Sequence, residues 1–177
     1  MGMPFCRAYV FLVVASGTAA ATTDGPSFDC IGADGAVEKM VCTDPELATL
    51  DQQLAEVFRA SEKAIEAHAA PDDALAALRT DQHAWSKERN ACWKADDPQA
   101  CVAAAYEQRI ATLQTEWNLV PHGEPVFYTC NDNPADEIVA TFYEATLPTV
   151  RLERGDTTEI GLLRPAASGA RYAAPFG

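Results

Sequence analysis

Apolar residues recur at steps of three and four through the middle of the chain, and closer to steps of two near its end. The first period lines one face of a helix and the second one face of a strand. Leu47, Leu50, Leu54, Val57, Phe58 and Ile65 make a first stripe. Its start is marked by Thr43 or Asp44, whose side chain accepts from free backbone N–H groups, by Pro45, which has no N–H to lose, and by Glu46 at the positive end of the dipole. Pro71-Asp72-Asp73 stops that helix and caps the next, which carries Leu75, Leu78, Trp85 and Cys92. Asp96-Asp97-Pro98 opens a third, lined by Cys101, Ala105, Ile110, Leu113 and Trp117 with Tyr106 alongside. Val37, Met40 and Val41 predict one short helical turn upstream. Three helices joined this closely pack as antiparallel neighbours.

Residues 118–125 (NLVPHGEP) hold two prolines and a glycine, which end the helices and mark a linker. Beyond it the period changes. Residues 126–130 (VFYTC) and 138–143 (IVATFY) are rich in β-branched and aromatic residues, separated by the turn cluster Asn131-Asp132-Asn133-Pro134. Val150 and Leu152 alternate with Arg151 and Glu153; Gly155-Asp156 turns the chain; Ile160 and Leu162 alternate again; Ser168-Gly169 turns before Arg171-Tyr172. These are short antiparallel strands. The expected class is α+β in two domains, helical over 22–117 and β over 126–177, with 118–125 between.

The N-terminus is expected to lie outside the fold. Residues 8–15 (AYVFLVVA) are an apolar run too short to span a bilayer, preceded by Arg7 and followed by Ala19-Ala20-Ala21. That is the layout of a secretory signal peptide over 1–21, cleaved after Ala21. Cys6 precedes the run, which disfavours a lipoprotein. Export makes disulfides the first reading of the remaining cysteines, Cys30, Cys42, Cys92, Cys101 and Cys130. Cys92 and Cys101 flank one helix junction, and Cys30 and Cys42 the short N-terminal turn, so bridges there would clamp each. Five is odd, and Cys130 is left without a partner. Neither C-x-x-C nor a ligand spacing at His68, His83 or His122 supports a metal.

The chain carries 26 Asp plus Glu against 13 Lys plus Arg, a net charge of −13. Nucleic acid and anionic membrane surfaces would be repelled, whereas a basic protein would be attracted. Catalytic constellations are missing. Asp81, His83 and Ser86 are close in sequence, but that helical spacing does not form a nucleophile–base–acid array. The pairs Asp72-Asp73 and Asp96-Asp97 precede helices and read as caps. No glycine loop for phosphate occurs. The chain reads as a binding protein, not an enzyme, with no cofactor.

Two groups of residues narrow this further. Phe28-Asp29-Cys30, Val37-Glu38-Lys39, Cys42, Asp44-Pro45-Glu46-Leu47, Leu50-Asp51, Gln82, Ala84-Trp85, Lys87, Arg89, Cys92, Cys101, Tyr106, Arg109-Ile110 and Leu113 together resemble the LprI-type domain, the helical module of a lysozyme-inhibitor family. The resemblance covers residues 28–114 and implies the pairings Cys30–Cys42 and Cys92–Cys101. Phe127-Tyr128-Thr129-Cys130, Val150-Arg151-Leu152, Gly155 and Ala167-Ser168-Gly169-Ala170-Arg171-Tyr172 resemble the MliC-type inhibitor of c-type lysozyme, a small antiparallel β-barrel. In that family the loop bearing the serine enters the lysozyme cleft, beside a lysine from a later Phe-Trp-x-Lys-Gly segment. The chain ends at Gly177, before such a segment and before the late cysteine that would pair with Cys130, so the barrel is expected to be partial.

The implied chemistry is direct. Lysozyme works with two carboxyl groups facing its sugar site. Ser168 can donate to one of them and Gly169 lets the backbone approach closely; beyond Ala170, Arg171 either reaches a carboxylate or pairs within its own domain, and Tyr172 either packs under the loop or contacts the rim. The expected function is inhibition of c-type lysozyme in the periplasm, with no membrane insertion after signal cleavage. The alternative is a non-inhibitory envelope interaction module that acts through its helices.

Overall fold

The computed structural model describes residues 25–68, 70–129 and 137–174. The expected leader over 1–21, Cys130 and the turn cluster that follows it lie outside the described residues. A 3₁₀ turn over Cys30–Gly32 leads into α1 (Ala36–Thr43), α2 (Pro45–Ile65) and α3 (Pro71–Asn90). A second 3₁₀ turn, Ala91–Lys94, precedes α4 (Pro98–Glu116). The strands are β1 (Val126–Thr129), β2 (Glu137–Tyr143), β3 (Thr149–Arg154), β4 (Thr157–Arg164) and β5 (Arg171–Ala173). This is an α+β chain, with helices first and an antiparallel sheet after them.

Helix starts follow the sequence signals with one exception. Asp44 caps α2, its carboxylate accepting the N–H groups of Glu46 at 2.9 Å and Leu47 at 3.1 Å. Asp97 caps α4 through the Ala100 N–H at 3.0 Å. Asp72 and Asp73 do not cap α3. They lie in its first turn behind Ala70, which makes no side-chain cap bond, so they act only through the helix dipole. The short turn expected at Val37 is a full eight-residue helix, α1, because Val37 and Val41 are both buried in the core. Cys92 sits in the 3₁₀ turn after α3, not in the helix. Disulfides join Cys30 to Cys42 and Cys92 to Cys101. They fasten the first 3₁₀ turn to α1 and the second to α4.

The helical core gathers Val37, Val41, Leu47, Leu54, Ile65, Leu78, Val102, Tyr106, Ile110 and Leu113. The sheet has strand order β1-β2-β3-β4-β5, all neighbours antiparallel. Directly paired residues share a face. Phe142, Val150 and Gly161 therefore lie on one side, and Tyr143, Thr149 and Leu162 on the other.

The second side packs on α4. Thr115 and Thr149, both fully buried, share a hydroxyl hydrogen bond. Gln114 Oε1 accepts the Thr146 N–H at 2.8 Å. Asn118, just past α4, takes a positive φ of 51°. Asparagine tolerates that left-handed conformation and ends helices with it. The same side chain accepts from the Tyr143 hydroxyl at 2.6 Å and from Arg151 Nη1 at 3.1 Å. Residues after it stay on the sheet: the Gly123 N–H donates to Phe142 O, and the Glu144 N–H to Pro121 O.

Candidate functional site

Two groups of side chains stand out. The first lies inside the helices. Asp51 of α2, Arg89 of α3 and Tyr106 of α4 are all buried, with Asp51 6% and Arg89 7% exposed. The Tyr106 hydroxyl donates to Asp51 Oδ1 at 2.9 Å and accepts from Arg89 Nη1 at 2.6 Å. Asp51 Oδ2 also accepts the Ser27 N–H at 2.6 Å. Arg89 Nη2 also donates to Asn90 Oδ1 at 2.8 Å. The guanidinium lies over the rings of Trp85, at 5.3 Å, and Tyr106, at 5.4 Å. Trp85 Nε1 donates to Ala105 O. Burial raises the Tyr106 phenol well above its ordinary pKa, so it stays protonated as the donor to Asp51.

Each member of this network is bonded within the chain, so the network holds three helices in register. Arg109 adds a further link, donating from Nε to Gln82 Oε1 at 2.9 Å. Asp51, Gln82, Trp85, Arg89, Tyr106 and Arg109 are among the residues that carry the helical resemblance. Their roles in the structure are cross-links between helices.

The second group is the loop between β4 and β5. The strand pairing ends at Arg164, opposite Arg171, and Pro165 follows with no N–H to continue it. Ser168, Gly169 and Ala170 are exposed in the loop. Gly169 has φ of 68°, the left-handed region where a side chain is strained, so the tight turn at Ser168 depends on glycine. Arg171 is exposed in β5. Tyr172 is half-buried, its ring 5.6 Å from that of Phe142. A Cβ at Gly161 would meet Tyr172 Cβ and Val150 Cγ1 at 3.2 Å each. Gly161 thus makes room for Tyr172 to lie on the sheet and anchor the loop's C-terminal end.

The residues considered for other chemistry are separate. The Ser86 hydroxyl donates to the His83 backbone carbonyl at 2.8 Å, so it is not oriented by the imidazole. His68 packs edge-on against Trp117, and His122 lies against Tyr143. The polar contacts between α4 and the sheet, centred on Thr115, Thr149 and Asn118, are not marked in the sequence. Threonine in a strand and asparagine after a helix are common, and their pairing is a long-range fact.

The chain is a disulfide-fastened helical bundle joined to a small antiparallel sheet, with an exposed Ser-Gly turn. Residues 30–116 match the family model described as lysozyme inhibitor LprI. Residues 128–177 match that of the membrane-bound lysozyme-inhibitor of c-type lysozyme, MliC. Both families are lysozyme inhibitors.

The chain is 30% identical over 154 residues to Lipoprotein LprI of Mycobacterium tuberculosis, and equally to that of Mycobacterium bovis, covering 85% of this chain and 72% of the relative. The chain belongs to the LprI family. No solved structure matches it. A lipoprotein relative and a membrane-bound family both point to the cell envelope. Among the described residues no helix is long and apolar enough to cross a membrane.

Proposed function

We propose that this chain inhibits a c-type lysozyme in the periplasm by inserting the Ser168-Gly169 turn into the enzyme's cleft. The observation that carries the reading is the exposed serine turn held by a left-handed Gly169, on the part of the chain that matches the MliC family. Ser168 donates its hydroxyl to a catalytic carboxylate, and Arg171 and Tyr172 contact the rim. The loop works by exclusion: substrate cannot enter, and the enzyme's buried carboxyl groups keep a hydrogen-bond donor. The acidic helices favour encounter with a basic enzyme, chiefly through the association rate.

The test is inhibition of c-type lysozyme by the full chain, expressed with its own leader and recovered from the periplasm, beside Ser168→Ala. A hydrogen bond to a charged group is worth about 1.5–3 kcal/mol, so Ser168→Ala weakens inhibition roughly 10- to 150-fold. Equal inhibition by both proteins refutes the loop.

A second reading is an interaction made through the helices. It is supported by Ile31 and Trp93, which are 95% and 60% exposed on the two disulfide-fastened 3₁₀ turns. If it holds, Trp93→Ala weakens inhibition and Ser168→Ala leaves it unchanged.

A further inference from the structure

The loop between β4 and β5 springs from a pair of like charges. Arg164 is the last residue of β4 and Arg171 the first of β5, and they lie directly opposite each other. Opposite residues in an antiparallel pair share a face with their Cβ atoms about 4.5–5.5 Å apart, and like charges placed so are destabilising. Arg171 is exposed and Arg164 half-buried. Among the described residues neither has a carboxylate within 4 Å. Arg164 Nη2 makes one long contact, 3.5 Å to Gln108 Oε1, and Arg171 bonds no described residue. Arg151 of β3 shows the contrasting arrangement, with Glu153 Oε2 3.4 Å from its Nε.

The charge pattern of the chain sets this pair apart. Asp and Glu outnumber Lys and Arg by 26 to 13, yet from Ile160 to Ala174 the charged residues are Arg164 and Arg171 alone. In a strongly acidic chain, the segment that carries the exposed Ser168-Gly169 turn is therefore locally positive. Both charges sit at the neck of the loop, and the loop itself, residues 165–170, is uncharged. A purely structural arginine in such a chain has many carboxylates to pair with. Two guanidinium groups held together without one are prepared for an anion from outside. Each presents a fork of N–H donors, and a carboxylate has two oxygens that can accept from both.

We propose that Arg164 and Arg171 together bind an Asp or Glu carboxylate of the lysozyme at the mouth of its cleft, while Ser168 enters the cleft. The proposal rests on the inhibitor reading above and adds what grips the neck of the loop. Arg171 follows Ser168 by three residues, so the pair meets the enzyme beside the group that Ser168 reaches. The enzyme's carboxylate neutralises the repulsion between the two arginines that the unbound chain carries. Bulk charge predicts the opposite sign for a mutation here. Against a basic enzyme a more acidic inhibitor associates faster, whereas loss of the pair weakens the complex.

The test is the inhibition constant of the full chain, recovered from the periplasm, on a basic c-type lysozyme, beside Arg171→Gln, Arg171→Glu and Lys87→Glu. Arg171→Gln removes a charged hydrogen bond and weakens inhibition roughly 10- to 150-fold. Arg171→Glu weakens it at least as much, although it makes the chain more acidic. It also sets opposite charges across the β4–β5 pair, so it raises the melting temperature by about 1–4 °C. Lys87→Glu, the same reversal at an exposed position of α3, does not weaken inhibition. Unchanged or stronger inhibition by Arg171→Glu overturns the pair and leaves the serine turn standing. Equal weakening by Lys87→Glu overturns it too, and so does a melting temperature that falls in Arg171→Glu, which would make the arginines part of the sheet's own stability. No inhibition by the unaltered chain overturns the inhibitor reading itself, and the pair with it.

Discussion

Tyr106→Phe removes one oxygen from the centre of the helical part and leaves its shape almost unchanged. That oxygen donates to Asp51 Oδ1 at 2.9 Å and accepts from Arg89 Nη1 at 2.6 Å. Hydrogen bonds to charged groups are each worth about 1.5–3 kcal/mol. The full sum is not lost, because Asp51 keeps the Ser27 N–H and Arg89 keeps Asn90. Neither buried charge is stripped of every partner. The expected loss is therefore about 2–3 kcal/mol, between the cost of one such bond and that of two. For a chain of this size it lowers the melting temperature by roughly 5–10 °C. Urea unfolding with the disulfides intact measures it as a shift in midpoint at constant slope. Tyr172→Phe is the control, since its hydroxyl bonds no described residue; it changes stability by less than about 0.5 kcal/mol. A cycle with Asp51→Asn isolates the pairwise share, with a coupling of about 0.5–3 kcal/mol expected for residues in one network. A Tyr106→Phe loss below about 0.5 kcal/mol, or no coupling to Asp51, would show that the three-helix network does not hold the bundle together.

Two further outcomes follow from the fold. Replacing Cys92 and Cys101 together by serine opens a link of sequence separation 9. Loop-closure entropy puts the cost at about 2.5 kcal/mol, read from chemical unfolding. Thr115→Val leaves the Thr149 hydroxyl buried without its partner and costs about 1–3 kcal/mol, whereas Thr115→Val with Thr149→Val is close to neutral. A double variant no better than the single would mean the threonine pair does not join α4 to the sheet.

Much of the helical part was legible in the sequence. Asp44 and Asp97 cap where their position before a proline predicts, because an N-cap acts on N–H groups two or three residues away. The apolar stripe of α2 is buried because a helical period aligns it on one face. Asp72 and Asp73 show the limit of the same rule: composition marked a helix start, but the cap position is taken by Ala70. The strands were legible from their alternation, and the Ser168-Gly169 turn from its residues. Which side of the sheet would be covered was not legible: Thr149 and Tyr143 share the side that packs on α4, and both are buried.

By itself the sequence determined the order of helices and strands, the residues on each apolar face and the turn that carries Ser168. Those depend on interactions a few residues apart, and the period records them. Only the tertiary structure decided which face each element turns toward its neighbours. It alone joins Asp51, Arg89 and Tyr106 across three helices and seats Thr149 on Thr115. These contacts span tens of residues, and hydrogen-bonding side chains carry no mark of which distant partner satisfies them.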